Sequence, residues 1–237
     1  MDTTVYASRT AVKKRTRTSS GSVHKINKIT IVKWIVAVAL IVGFTILTEV
    51  VAKPDIFMFF ALGAGLIILF HKGFSIKKYG RNFISGWQFW VWTAVSVALL
   101  IGADQLKKYM LWTMFVGQNS GIIQIWQKEN YIGVVFYAIT MIIILPLAEN
   151  LFICKGLLSG KNKIALFVLA IAGLFVRGLF YAHGFYGILS YAVVAIPIVL
   201  VYLKTKNMYI TLTAQIIVSA YLFIPDIAYD VARLMLR

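Results

Sequence analysis

What most constrains this chain is the recurrence of long apolar stretches, at 29–52, 55–71, 86–103, 131–158, 164–183, 187–203 and 208–225. A helix crosses a bilayer with about 17–25 mostly apolar residues, and hydrocarbon leaves the backbone no partner outside its own helix or a closed barrel. Stretches this long and this continuous are helices. The expected fold is therefore all-α: a polytopic transmembrane helical bundle of about seven spans, with the N-terminus cytoplasmic. The 55–71 stretch is the shortest and reads as a tilted span or a re-entrant element. The 131–158 stretch exceeds a crossing and reads as tilted or projecting past the bilayer. Composition points the same way, with 60% hydrophobic and 14% charged residues where a soluble domain has about 45–50% and 25%. A secreted enzyme, a soluble nucleic-acid binder and a disordered regulator are all excluded on these grounds.

The formal charge of +16, from 24 Lys+Arg against 8 Asp+Glu, has a membrane explanation. Nucleic-acid binders gather basic residues on one soluble face; here short basic clusters punctuate apolar runs. With the N-terminus inside, seventeen Lys/Arg fall in cytoplasmic segments, six outside, and Arg177 lies within a helix. That asymmetry is the positive-inside bias, and the same clusters attract anionic headgroups. The lipid bilayer is thus the first expected partner, and nucleic acid is not one.

Four regions follow. Residues 1–28 are basic and Ser/Thr-rich, a disordered cytoplasmic tail, and the apolar run after them is long enough to read as an uncleaved first helix. Residues 29–130 hold the N-terminal transmembrane helices and an interfacial loop, 104–130, with Trp112 and Trp126 at headgroup level. Residues 131–225 form the membrane core, and 226–237 read as a C-terminal interfacial segment.

Ionisable groups at membrane depth are costly and are functional candidates by default. Glu149, Arg177 and His183 are the three here. The plain alternative is that Glu149 and Arg177 pair with each other or with backbone to fix the bundle, or that Arg177 snorkels. The lone Cys154 excludes an intrachain disulfide and reads first as a small buried apolar residue. A zinc site needs about three His, Cys or carboxylate ligands, and Glu149, His183 and Cys154 do not make a convincing set. No metal and no other cofactor is assigned.

Three segments together resemble the CAAX-protease and bacteriocin-processing (CPBP) family of intramembrane proteases, over about 131–225. AENLFICKGLL resembles the family's first motif, EExxxR. LFYAHG resembles the second, FxxxH. YLKTKNMYITLTAQIIVSA resembles the third region, a short turn before a helix bearing HxxxN. Glu149 matches the first glutamate and His183 the second-motif histidine. Asn150 replaces the second glutamate, Cys154 or the neighbouring Lys155 the arginine, Leu179 the phenylalanine, and Gln215 and Ser219 the histidine and asparagine. The resemblance implies peptide-bond hydrolysis in a bacterial plasma membrane, with Glu149 and His183 as candidate catalytic residues activating water. Gln215 and Ser219, four apart on one helix face, could donate hydrogen bonds to an oxyanion but supply no charge. Loss of one oxyanion donor alone costs about 10²–10³ in turnover. The expected function is accordingly that of a non-catalytic relative, a bacteriocin self-immunity factor or a membrane scaffold, whose partner is a bacteriocin or an envelope protein. The competing expectation is an active CAAX-type endopeptidase cleaving a membrane-associated peptide. A transporter is disfavoured, because no inverted repeat or paired broken helix is visible.

Depth sets one further expectation. Counting about 1.5 Å per residue, His183 lies about 28 Å along its helix from Ile164, whereas Gln215 lies about 10 Å from Met208. Either that helix starts late, or it tilts, or Glu149, His183 and Gln215 do not all converge.

Overall fold

The structure is a computed structural model, and it describes residues 28–50, 56–84, 86–123, 125, 128–158 and 163–236. The tail read over 1–28 lies outside them but for its last residue, and Trp126 lies outside them as well. Among the described residues the chain is helical, without strands; Ile122 and Ala182 make one isolated antiparallel bridge.

Among the described residues eight helices build the bundle. In chain order they are α1 (Lys28–Val50), α2 (Ile56–Phe70), α3 (Ile76–Ile84), α4 (Trp87–Met114), α5 (Tyr131–Leu157), α6 (Lys163–Leu179), α7 (Phe185–Thr205) and α8 (Met208–Met235). Six are long and apolar enough to cross a membrane, and α6 is a shorter apolar helix. This is a multi-pass membrane architecture. α5 packs between α2 and α8, α4 lies along α8 and α7, and α6 pairs with α7. α1 packs on α2 and turns Ile35, Val38, Ile46 and Leu47 outward, as a helix facing lipid does.

Three boundaries differ from the sequence reading, each for a local reason. α4 does not stop at 103. Lys107 and Lys108 fall three and four residues after Asp104 and pair with it, so the helix continues through Met114 and carries Trp112 outward in helical conformation. The chain over 226–235 continues the preceding helix rather than starting a new one, because α8 runs unbroken through Pro225 to Met235. Its far end is tied down by Asp230, which pairs with Lys128 at 3.1 Å and Arg233 at 3.1 Å. α3 had no counterpart among the apolar stretches, being amphipathic rather than apolar.

The 119–123 loop folds back into the bundle and seats against the α6–α7 turn. Ile123 donates to the Tyr181 carbonyl and His183 to the Gly121 carbonyl, both at 2.9 Å. Backbone meets backbone here: a Cβ at Gly184 or Gly187 would overlap the carbonyls of Asn119 and Ser120, and Gly121 adopts φ +54°. Only glycine allows both the approach and the dihedral.

Candidate functional site

The site is built from α5 outward. Pro146 has no N–H and crowds the carbonyl one turn before it, so the helix widens ahead of it. Over Thr140–Ile144 the bonding is of the π type, with Leu145 N–H reaching the Thr140 carbonyl. A second π segment spans Leu151–Leu157, closed by Leu158 N–H on the Ile153 carbonyl at 2.9 Å. Such bulges often mark functional positions, and here they bracket Glu149 and Asn150. Neighbours in a helix point about 100° apart. Burying both therefore needs protein on two sides of α5, and both are fully buried.

Glu149 is satisfied by three donors from three places. Arg177 Nε on α6 reaches Oε2 at 3.0 Å, Tyr181 OH just past α6 reaches Oε1 at 2.6 Å, and Gln215 Nε2 on α8 donates to Oε2. Arg177 also donates through Nη1 to the Tyr191 carbonyl at 3.1 Å. That carbonyl lies where α7 bends at Val194, three residues before Pro197. The Tyr181 and Tyr191 rings stack at 5.0 Å, with the guanidinium 5.2 Å from the Tyr181 centroid.

Asn150 extends the network. Its amide donates to the Pro146 carbonyl at 2.9 Å and to Gln215 Oε1 at 2.5 Å, while its oxygen accepts from Thr211 at 2.7 Å. Cys154, one turn on, lies within 3.8 Å of the Asn150 oxygen and 3.9 Å of Thr211 Oγ1, and is fully buried. Each amide nitrogen and oxygen of Asn150 and Gln215 thus has a partner, as buried polar groups require. Lys155 turns the other way, toward the Tyr202 ring at 6.0 Å.

Two cavities adjoin this network. One, of about 60 Å³, is lined by Arg177, Tyr181, Gln215, Ser219 and Asp104 among others, and is polar and roomy enough to hold water. Gln215 and Ser219 share it, as their four-residue spacing implied. Glu149 does not reach it: the three donors stand between the carboxylate and the void. The second, of about 480 Å³, opens beyond it between α4, α5, α7 and α8, with Asp104, Lys107, Tyr137, Tyr181, Tyr191 and Asp226 on its wall. Lys107 holds Asp104 at 2.5 Å and lies 4.9 Å above the Tyr191 ring.

The structure thus brings together Glu149, Asn150, Cys154, Gln215 and Arg177, with Ser219 alongside. His183 stands apart. α6 ends at Leu179, and His183 sits in the following turn, with its backbone on Gly121 and its Nδ1 buried without a hydrogen-bond partner. It donates nothing to Glu149 or Gln215 and lines neither cavity. Gln215 is joined to Glu149 by a hydrogen bond, whereas the His183 ring shares none with either. Tyr181, Tyr191 and Thr211 are network members that the sequence reading missed; the four-residue step from Arg177 to Tyr181 was the available signal. Among the described residues no three His, Cys, Asp or Glu side chains cluster as a metal would need.

No family model matches the chain, and comparison with curated proteins and with solved structures likewise finds no match.

Proposed function

We propose that this chain is a non-catalytic, CPBP-like protein of a bacterial plasma membrane, acting by binding as a bacteriocin self-immunity factor or as a scaffold for an envelope protein. One observation carries the reading: the Glu149 carboxylate is fully buried, takes hydrogen bonds from Arg177, Tyr181 and Gln215, and is screened by them from the adjoining cavity. A general base must lie within hydrogen-bond reach of the proton it takes, directly or through one water. His183, the other half of a hydrolytic pair, makes no hydrogen bond to this carboxylate. The arrangement is that of a helix clamp, joining α5, α6 and α8 through charge and amide bonds. The competing endopeptidase reading keeps one observation in its favour, the open 480 Å³ cavity that ends on Tyr181 and Tyr191, which is of ligand-pocket size.

The two are separated by removing the ion pair as a unit. In E149Q/R177M the amide oxygen at position 149 can still accept from Tyr181, Gln215 gives up its bond to the second carboxylate oxygen, and no charge is left uncompensated. At wild-type abundance this variant is expected to retain protection of the host against bacteriocin, or capture of the envelope partner. A stable double variant that loses the phenotype, while the wild-type protein cleaves a membrane-anchored peptide, would return the chain to the proteases.

A further inference from the structure

One end of the bundle is cationic throughout. The start of α1, the end of α2, α3, the end of α5, the end of α7 and the start of α8 meet there, as shown by Lys33 Nζ on the Leu69 carbonyl, Tyr209 OH on Ser75 and Asn207 on Asn82. Its described charged side chains are Lys33, Lys72, Lys77, Lys78, Arg81, Lys155, Lys204 and Lys206. No described carboxylate lies there. Glu49, Asp104, Glu129, Asp226 and Asp230 belong to the other end, and Glu149 to the interior. A soluble protein would mix signs on such a surface, so this segregation asks for an external anion.

α3 is the element that presents the charge. At about 100° per residue, Lys77, Arg81 and Lys78 fall within an arc of about 100° with Arg81 in its centre, and Ile76, Tyr79, Phe83 and Ile84 occupy the remainder. All three basic side chains are exposed. The helix cannot roll to hide them, because its other face is pinned. Tyr79 stacks on Tyr209 at 5.6 Å and shares a 3.1 Å hydrogen bond with Thr213, and Trp90 Nε1 donates to the Phe83 carbonyl at 3.2 Å. Ile76, Ile84 and Trp87 are largely exposed at its two ends. A short helix with a basic face, apolar flanks and a neighbouring Trp is built to lie at the headgroup level of a leaflet.

We infer that α3 is a docking surface for anionic phospholipid, with a headgroup phosphate held between Lys77, Lys78 and Arg81. The occupant is the lipid of the surrounding leaflet, for three reasons. The charge is complementary, guanidinium and ammonium groups are natural phosphate donors, and the exposed Ile76 and Ile84 give the acyl region something to touch. Each basic residue adds to retention near an anionic surface, within a Debye length.

The test uses the full chain in nanodiscs of equimolar phosphatidylcholine and phosphatidylglycerol, with a photo-crosslinking side chain at position 80. Gly80 has open space where a side chain would begin, and so does Gly102 on α4, which serves as the reference position. Adducts from position 80 are expected to be enriched several-fold in phosphatidylglycerol over the bulk ratio, with no enrichment at 102. The enrichment should fall to the bulk ratio in K77Q/K78Q/R81Q and survive in K77R/K78R/R81K. Should the glutamine variant fold poorly, raising salt on the unsubstituted chain should remove the enrichment without any mutation. Equal adduct ratios at 80 and 102, or enrichment unaffected by both salt and the glutamine variant, would overturn the inference. So would loss of the lipid adducts when an equimolar soluble polyphosphate is present during irradiation, which would make a soluble polyanion the occupant.

Discussion

The middle of the bundle and the α4–α8 end with the acidic residues use the same chemistry with opposite supply. At that end each buried carboxylate among the described residues has two cations: Asp104 has Lys107 and Lys108, and Asp230 has Lys128 and Arg233. In the middle Glu149 has one, Arg177, and its other two donors are neutral. Three of the four cations at the end come from their own helix, at three or four residues' distance, while Arg177 reaches across 28 residues of sequence. Redundant local pairs tolerate loss; a single long-range pair does not. Breaking a buried pair leaves a charge without compensation and costs about 3–5 kcal/mol, whereas removing both partners is often close to neutral.

The largest expected effect follows directly. R177M alone, and E149Q alone, should each lower stability by about 3–5 kcal/mol, read as a fall in detergent melting temperature and in membrane abundance. E149Q/R177M should recover part of that loss, the remainder being the bonds of Gln215 and the Tyr191 carbonyl. Singles as stable as the double would mean that the middle is as redundant as the end, and the contrast would collapse.

Backbone contact, rather than charge, closes the bundle over the α6–α7 turn. G187A places a methyl against the Ser120 carbonyl, so the 119–123 loop must lift and release the hydrogen bonds of Ile123 and His183. Overpacking of this kind costs about 1–3 kcal/mol. The variant should melt below wild type, and hydrogen exchange at the Ile123 and His183 amides should accelerate while that of α5 does not. Unchanged exchange there would show that the loop does not depend on the seam.

The same split decides what the sequence could disclose. The seven apolar stretches each became a helix, because hydropathy at span length is a strong local signal. The end of α4 was missed because Asp104 interrupts the apolar run, although the i+3 and i+4 lysines that extend the helix were in view. α3 escaped because a nine-residue amphipathic helix never reaches span length. Within the site, Glu149 and Arg177, like His183, stood out as ionisable groups at membrane depth, Gln215 was reached through the motif resemblance, and pairing of Glu149 with Arg177 was one of the readings weighed. The exclusion of His183 was not legible. His183 lies beyond the end of α6 at Leu179, with its backbone N–H bonded to the Gly121 carbonyl about 60 residues upstream. No local pattern around His183 encodes that.

The smallest effect tests redundancy at its weakest member. Lys108 sits 3.0 Å from Asp104 Oδ2 with its side chain about half exposed at 48%, while Lys107, at 2.5 Å from Oδ1, is 15% exposed and also lies over the Tyr191 ring. K108Q removes a solvent-screened partner from a carboxylate that keeps its better one. The loss should be about 0.2–1 kcal/mol, typical of exposed pairs. It should shrink further between about 0.1 M and 1 M salt, as the screening length falls from about 10 Å to 3 Å. K107Q should cost more and respond less to salt, because that ammonium is largely shielded and its loss also empties the face of Tyr191. Melting curves of the two variants at both salt concentrations order them directly. If K108Q proves the more damaging, Asp104 depends on one cation as Glu149 does, and redundancy is not what distinguishes the two regions.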